Sequence, residues 1–228
     1  MALLNRSSFV LATNNPDKVL EIKHEFNGAG LSLISPADLG FKIHPEETGR
    51  TFEENSQLKA RETFKLLKEM GHVSHGVVAD DSGFEVDALG GLPGVDSSLF
   101  LGETTSYEAR NAFILKELAN SQNRTARFVC VLTCILPNGE VFAVRGETEG
   151  EVAVFAKGHN GFGYDPIFYL REFGKTMAEL TLDEKSKISH RGKALRLLFD
   201  KLVVKNEDFI SERYPWSGGQ TRKAFGSL

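Results

Sequence analysis

Val77-Val78-Ala79-Asp80-Asp81-Ser82-Gly83 is followed, a few residues on, by Leu89-Gly90-Gly91-Leu92-Pro93-Gly94. The first stretch is an apolar run suited to a buried strand, and it leads straight into two carboxylates. Carboxylates beside a core cost free energy unless they are paired or bound to a metal, so acids here point to chemistry rather than stability. In open α/β sheets, ligands bind just outside the carboxyl ends of strands. The stretch therefore reads as a strand over 76–79 that ends at the acids, with the Gly/Pro loop beyond it bordering a metal-assisted site. Successive strand side chains face opposite ways, so Asp80 and Asp81 are expected to do different jobs, one facing the cleft and the other capping a turn or orienting its neighbour. The plainer reading is that both cap the turn that follows.

Outward from this strand the apolar pattern alternates between strand and helix. A strand over 8–13 leads to Asn15 as an N-cap, with Pro16 at the first helical position and Asp17 in the first turn. Val19, Ile22 and Phe26 give that helix its apolar stripe, and Gly28 or Gly30 ends it. A short strand is expected over 31–34. Thr51-Phe52-Glu53-Glu54 reads as a capping box opening a helix to about Met70, with Ala60, Phe64, Leu67 and Met70 on one face. Thr105-Ser106-Tyr107-Glu108 reads as a second capping box, opening a helix to about Ala119. Residues 128–136 are apolar on both faces, as a central strand would be. Pro137-Asn138-Gly139 turns them into a hairpin with 141–145. Further strands are expected over 151–155 and 167–169, and a last helix over 189–204. Strand–helix alternation with one clear hairpin predicts an α/β protein with a mixed sheet.

The totals agree with a protein that buries a sizeable core: 228 residues, 41% hydrophobic and 25% charged. A net charge of −4 with no basic block argues against a dedicated duplex nucleic-acid binder. No apolar run approaches the roughly 20 residues of a membrane span, and the N-terminus does not read as a signal peptide. Cys130 and Cys134 fall in one strand, about 13 Å apart at the usual rise per residue, too far for a disulfide. They read as buried thiols in a reducing compartment, the cytosol.

Four further segments carry chemistry. Thr13-Asn14-Asn15-Pro16-Asp17-Lys18 is a strand-to-helix turn whose amides suit an anion. Lys18 sits against the helix dipole unless an anion is near, although a solvated lysine is the commoner case. Glu46-Glu47 is a second acidic loop, and magnesium favours one or two carboxylates together with substrate phosphates. Ser186 to Lys193 crowds cations about a helix start, either as a functional cluster or as an ordinary basic turn. Gly158 to Pro166 interleaves Phe162 and Tyr164 with glycines, which suits stacking on a nucleobase. The alternative is that both rings plug a core. Together these segments describe a nucleoside triphosphate site without a Walker loop.

The motifs Thr13-x-Asn15-x-x-Lys18, Glu46-Glu47-Thr48-Gly49 with Thr51-Phe52-x-Glu54-Asn55, Ala79-Asp80-Asp81-Ser82-Gly83, Gly161 to Pro166, and Lys185-x-x-x-Ser189-His190-Arg191-Gly192 run in order over about residues 8–204. In this the chain resembles the inosine triphosphate pyrophosphatase family. The resemblance implies a long mixed β-sheet flanked by helices, in two lobes with the active-site cleft between them. It implies one such domain over 1–204, with a tail over 205–228 of unassigned role. It also implies a magnesium-dependent homodimer that hydrolyses ITP, dITP and XTP to the monophosphate and pyrophosphate. By motif position, Asp81 is the catalytic proton acceptor and a metal ligand, with Glu46 the second ligand. Thr13, Asn14, Asn15, Pro16, Asp17, Lys18, Lys59, Ser82 and Lys185 contact the phosphate and ribose side. Phe162, Gly163, Tyr164 and Asp165, with His190 and Arg191, form the base pocket. Where the family often has Tyr-Ser-Ala-Arg after Pro-Gly-Val, this chain has Asp96-Ser97-Ser98-Leu99.

Hypoxanthine and xanthine present an acceptor at position 6 where adenine presents a donor. Donors from Arg191 and the Gly-rich loop would therefore leave adenine mismatched. Two rival readings remain at this stage: a pyrophosphatase of modified pyrimidine triphosphates, and a nucleotide or single-stranded RNA binding module without chemistry. The acid clusters weigh against the second, because carboxylates repel phosphates unless a metal intervenes. Neither a nucleic-acid partner nor a membrane is expected.

Overall fold

Residues 8–28, 31–43 and 47–205 are described by a computed structural model of the chain. Glu46 and the tail beyond Lys205 lie outside the described residues. Strand β1 (Ser8–Leu11) leads through helix α1 (Pro16–Gly28) to β2 (Ser32–Ile34), which pairs parallel with it. Helix α2 (Phe52–Glu69) crosses back to β3 (Gly76–Val86), parallel to β1 on its other side. Every later pairing is antiparallel: β3 with β4 (Pro93–Gly94) and with β5 (Thr125–Ile135), β5 with β6 (Val141–Val152), then β7 (Phe168–Leu170) and β8 (Lys175–Thr176). Helix α3 (Tyr107–Glu117) lies between β4 and β5 in the chain, and α4 (Leu182–Ile188) and α5 (His190–Lys205) follow β8. The expected mixed sheet is present, in the order β2-β1-β3-β5-β6-β7-β8, with β4 beside β3.

Strand β3 does not stop at the acids. Strand β5 pairs with it from Val77↔Ile135 to Val86↔Ala126, so the ladder carries Asp80 and Asp81 within the strand. What ends there is β1, whose last partner on β3 is Val78, while β4 pairs only with Phe84 and Glu85. Among the described residues, the edge of β3 over 79–83 is left open between them. Along this strand Val78 belongs to a core built with α1 and α5, and Phe84 to a second core built with α3, Tyr164 and Phe168. The open edge lies between the two cores.

Helices α1 and α5 cover one face of the sheet and α2 the other. The inward face of α2 differs from expectation. Met70 is exposed, while Asn55, Ser56, Lys59 and Thr63 are buried alongside Ala60 and Leu67. Polar groups turned inward on a helix need partners, and Ser56 finds Ala79 O at 3.1 Å and Thr133 Oγ1 at 2.9 Å. The second capping box also shifts. Ser106, not Thr105, is the N-cap and accepts from Ala109 N, while the Thr105 hydroxyl donates to Leu101 O. Strand β6 is continuous, so the separate strand over 151–155 does not form: β5 holds its partner through Thr125↔Glu151. Helix α4 had a legible signal that was missed, the capping box Thr181-Leu182-Asp183-Glu184.

Gly146 on β6 positions the site directly. A Cβ there would overlap His190 O and Ala194 N, so its absence lets the start of α5 rest on the sheet. The Thr148 hydroxyl donates to Ile188 O at 2.7 Å and pins the α4–α5 junction to the same strand. Gly146→Ala is expected to push the start of α5 off the sheet, lowering the melting temperature and the activity together. A thermal melt unchanged within 1 °C would remove this contact from the account.

Candidate active site

A cleft opens at the free edge of β3. Its walls include Thr13, Asn14, Asn15, Lys18, Glu47, Lys59, Asp81, Ser82, Phe162, Gly163, Tyr164, Asp165, Lys185, His190 and Arg191. The segments singled out in the sequence thus meet at one place. Pro16 and Asp17 do not join them; both are exposed on the first turn of α1. The amides of that turn are not free for an anion either. Asn15 Oδ1 accepts from Asp17 N at 2.9 Å and from Lys18 N at 3.2 Å, so the cap consumes them.

The two acids divide as the strand geometry requires. Asp80 faces α1 and α5, and both its oxygens are engaged. Oδ1 meets Lys18 Nζ and accepts from the Ser82 hydroxyl at 3.0 Å. Oδ2 accepts from Arg191 Nε at 3.1 Å and from the Cys130 thiol at 3.2 Å. Burial alone would raise its pKa, but Lys18 and Arg191 hold it well below the usual carboxylate range. Asp80 is therefore a fixed anion. It is also the anion that explains Lys18 at a helix start.

Asp81 faces α2. Lys59 Nζ donates to Oδ1 at 2.6 Å, and Oδ2 is buried with no hydrogen-bond partner among the described residues. Burial outweighs the pull of Lys59, which is shared with Glu47 Oε1 at 3.4 Å, and pushes Asp81 up to about 6. Such a group holds a free acceptor oxygen at a pH where it can still exchange a proton. An unsatisfied buried oxygen costs about 1–3 kcal/mol, so its orphaned state marks it for a ligand.

Behind the cleft the charges alternate: Lys18, Asp80, Arg191, Glu21, Lys185, Asp165. Glu21 Oε1 meets Lys185 Nζ at 2.7 Å and its Oε2 meets Arg191 Nη1, while Lys185 also meets Asp165 Oδ2. The sequence reading missed Glu21. Its only signal was a carboxylate one turn after Lys18, beside the apolar stripe of α1. Of the cations expected about a helix start, Arg191 and Lys193 do fall in the first turn of α5, while Lys187, with Lys185, falls in the last turn of α4, where the helix dipole favours it.

Arg191 is 2% exposed and already donates through Nε to Asp80, Nη1 to Glu21 and Nη2 to Ser82 Oγ at 2.9 Å. It is not the free donor that the sequence reading assumed. Tyr164 is likewise corrected. Its ring packs on Phe84 in the second core and its hydroxyl donates to Ser97 O at 2.8 Å, so it plugs the floor rather than offering a face to a base. Asp165 braces the loop from below, accepting from Phe162 N at 2.8 Å. Phe162 remains as the half-exposed ring, with Lys185 and Arg191 within 5.1 and 5.6 Å of its centre. His190 stacks flat on Phe128 at 4.7 Å. Burial, with Arg191 and Lys185 near, keeps it neutral, and its Nδ1 is without a partner among the described residues. In the altered loop Ser97 keeps an anchoring role, with its Oγ bridging Phe84 N and Gly94 O, while Asp96 and Leu99 are exposed.

A family model described as the Ham1 family matches residues 9–201. The chain is 46% identical over 194 residues to a dITP/XTP pyrophosphatase of an Exiguobacterium species, covering 85% of this chain and 96% of that one. It is also 46% identical over 191 residues to the dITP/XTP pyrophosphatase of Bacillus subtilis, covering 83% and 93%. Among solved structures, the Ham1 protein of Staphylococcus aureus is similar at 41% identity, with a TM-score of 0.76 over 87% of this chain and 100% of that one. A HAM1 protein of Coxiella burnetii is similar at 36% identity with the same TM-score.

Proposed function

The chain belongs to the Ham1 family, and on that premise we propose that it hydrolyses the deaminated purine nucleoside triphosphates dITP, ITP and XTP to the monophosphate and pyrophosphate. The observation that carries this reading is the buried Oδ2 of Asp81, unpartnered among the described residues, in a cleft walled by Lys18, Lys59, Lys185 and Arg191.

Each of those four cations already faces a carboxylate of the protein. A triphosphate entering the cleft therefore finds little uncompensated positive charge, which supports a requirement for a divalent cation. The donor set fits magnesium: Asp81 offers a free carboxylate oxygen, and Glu47 lies across Lys59 from it. Glu46, the second ligand implied by the family motif, is proposed in that role, with Glu47 as a further donor to the same cation. When bound, magnesium supplies charge neutralisation on the phosphate oxygens.

The chain's own residues do the rest. Lys59 fixes Oδ1 of Asp81 and so orients Oδ2 toward the cleft, where it takes the proton of the attacking water. Lys18, held by Asp80, offers its partly exposed ammonium to the phosphates. Phe162 offers a ring face to the base, and neutral His190 a nitrogen to its edge. The carbonyl at position 6 calls for donors, and a site built on such pairing can reject an analogue by roughly 10²–10⁴-fold. A homodimer in the cytoplasm completes the proposal. Leu92, Leu99 and Leu101 are exposed along one segment, as an interface would use, and the buried thiols of Cys130 and Cys134 suit a reducing compartment.

The test is a nucleotide panel with magnesium. Pyrophosphate and monophosphate are expected from dITP, ITP and XTP, with ATP at least about a hundredfold slower. Equal rates on all purines would remove the base preference, and release of orthophosphate would remove the bond assignment.

A further inference from the structure

Three successive residues ahead of α2 are seated on its first turn. Asn55, 2% exposed, accepts the Gly49 N–H on its Oδ1 at 2.7 Å. The next amide, Arg50 N, donates to Glu54 Oε2 at 2.6 Å, and Thr51 Oγ1 caps Glu54 N at 3.1 Å. The seat is close-fitting. A Cβ on Gly49 would lie 2.6 Å from Asn55 Oδ1 and 2.7 Å from the Glu54 Cβ, so only a glycine lets the backbone settle there. Two residues upstream is Glu47, whose carboxylate touches the same Lys59 ammonium that holds Asp81. Neither Asn55 nor Gly49 lines the cleft.

We infer that Asn55 is a positioning residue for the hydrolysis: by holding the Gly49 amide it keeps the Glu47 carboxylate opposite Asp81, so that both acids meet a divalent cation together. The inference rests on the magnesium-dependent reading above. Glu47 is exposed on its own account, and a long carboxylate on a loose backbone samples many positions. Tying the backbone two residues away removes most of that freedom before the metal arrives. Asn suits this task because its carbonyl accepts the amide without adding a further buried charge.

The experiment titrates Mn²⁺ into metal-free protein, without nucleotide, and reads free Mn²⁺ by electron paramagnetic resonance. Asn55→Ala is expected to weaken Mn²⁺ binding roughly fivefold to tenfold, the range set by one net hydrogen bond. At saturating metal its KM for dITP should stay within twofold of the parent. Gly49→Ala displaces the same amide from the other side and should show the same shift; it also serves if Asn55→Ala does not fold. Parental Mn²⁺ affinity in both variants, whatever their melting temperatures, assigns Asn55 to helix stability alone and overturns the inference. A parent chain that hydrolyses dITP at an undiminished rate in excess chelator overturns the metal reading itself, and the inference with it.

Discussion

Asp81→Asn releases pyrophosphate from dITP at a rate lower by about 10²–10⁴-fold, the usual contribution of a positioned proton acceptor, with the fold intact. The structure adds a second expected result for the same variant. Asp81 is buried and pushed up to about 6 in the absence of metal, whereas an unfolded aspartate titrates near 3.9. The folded state therefore binds the proton more tightly, and the favourable term is fully present below about pH 4. It is lost as pH rises through 6, to the extent of about 2–3 kcal/mol. Asparagine carries no such penalty. Melts in a chelating buffer should show Asp81→Asn gaining on the parent between pH 4 and pH 7. A difference that does not change over that range would mean that Asp81 is already ionised without cost. Near-parental turnover would take Asp81 out of the mechanism.

Arg191→Ala has the larger expected effect on stability. The guanidinium is enclosed and bridges Asp80, Glu21 and Ser82. Removing it leaves two carboxylates facing each other without their shared cation. Breaking a buried pair in this way costs about 3–5 kcal/mol, which for a chain of this size lowers the melting temperature by roughly 10 °C. The sequence reading made Arg191 a donor to position 6 of the base, which would confine the loss to 6-oxo purines. With three donors spent inside the protein, the expected result is a comparable loss on every triphosphate together with the fall in stability. A melt within 2 °C of the parent, with a loss confined to 6-oxo purines, would restore Arg191 as a free reader of the base.

Much of this site was legible because its chemistry breaks local rules. Paired acids in an apolar run, a lysine on a helix N-terminus, and rings among glycines each contradict what stability alone would place there, and the structure brings all three to one cleft. Strand and helix types followed from periodicity for the same reason that they form: one face must be buried. What could not be read was set by distant partners. The length of β3 depends on β5, which holds it through the acids. The continuity of β6 depends on the same strand. Glu21 carried no signal of its own on α1, because its burial is set by the start of α5, whose Arg191 it meets. Tyr164 and Asp165 were placed in the right loop, and burial, which decides whether a ring stacks on a ligand or fills a floor, sets the Tyr164 ring in the floor of the cleft. The turn at Asn138-Gly139, by contrast, was fully local, and it formed as expected with Gly139 at a φ of 90°.

The notch over 79–83 has a consequence beyond substrate binding. A bare strand margin is a template on which another molecule's chain can add, and proteins commonly blunt such margins with charge and brevity. Here β1 and β4 bound the vacancy at either end, and Asp80 and Asp81 stand within it. The backbone that must stay uncovered for catalysis is thus kept too short for another chain to pair along it.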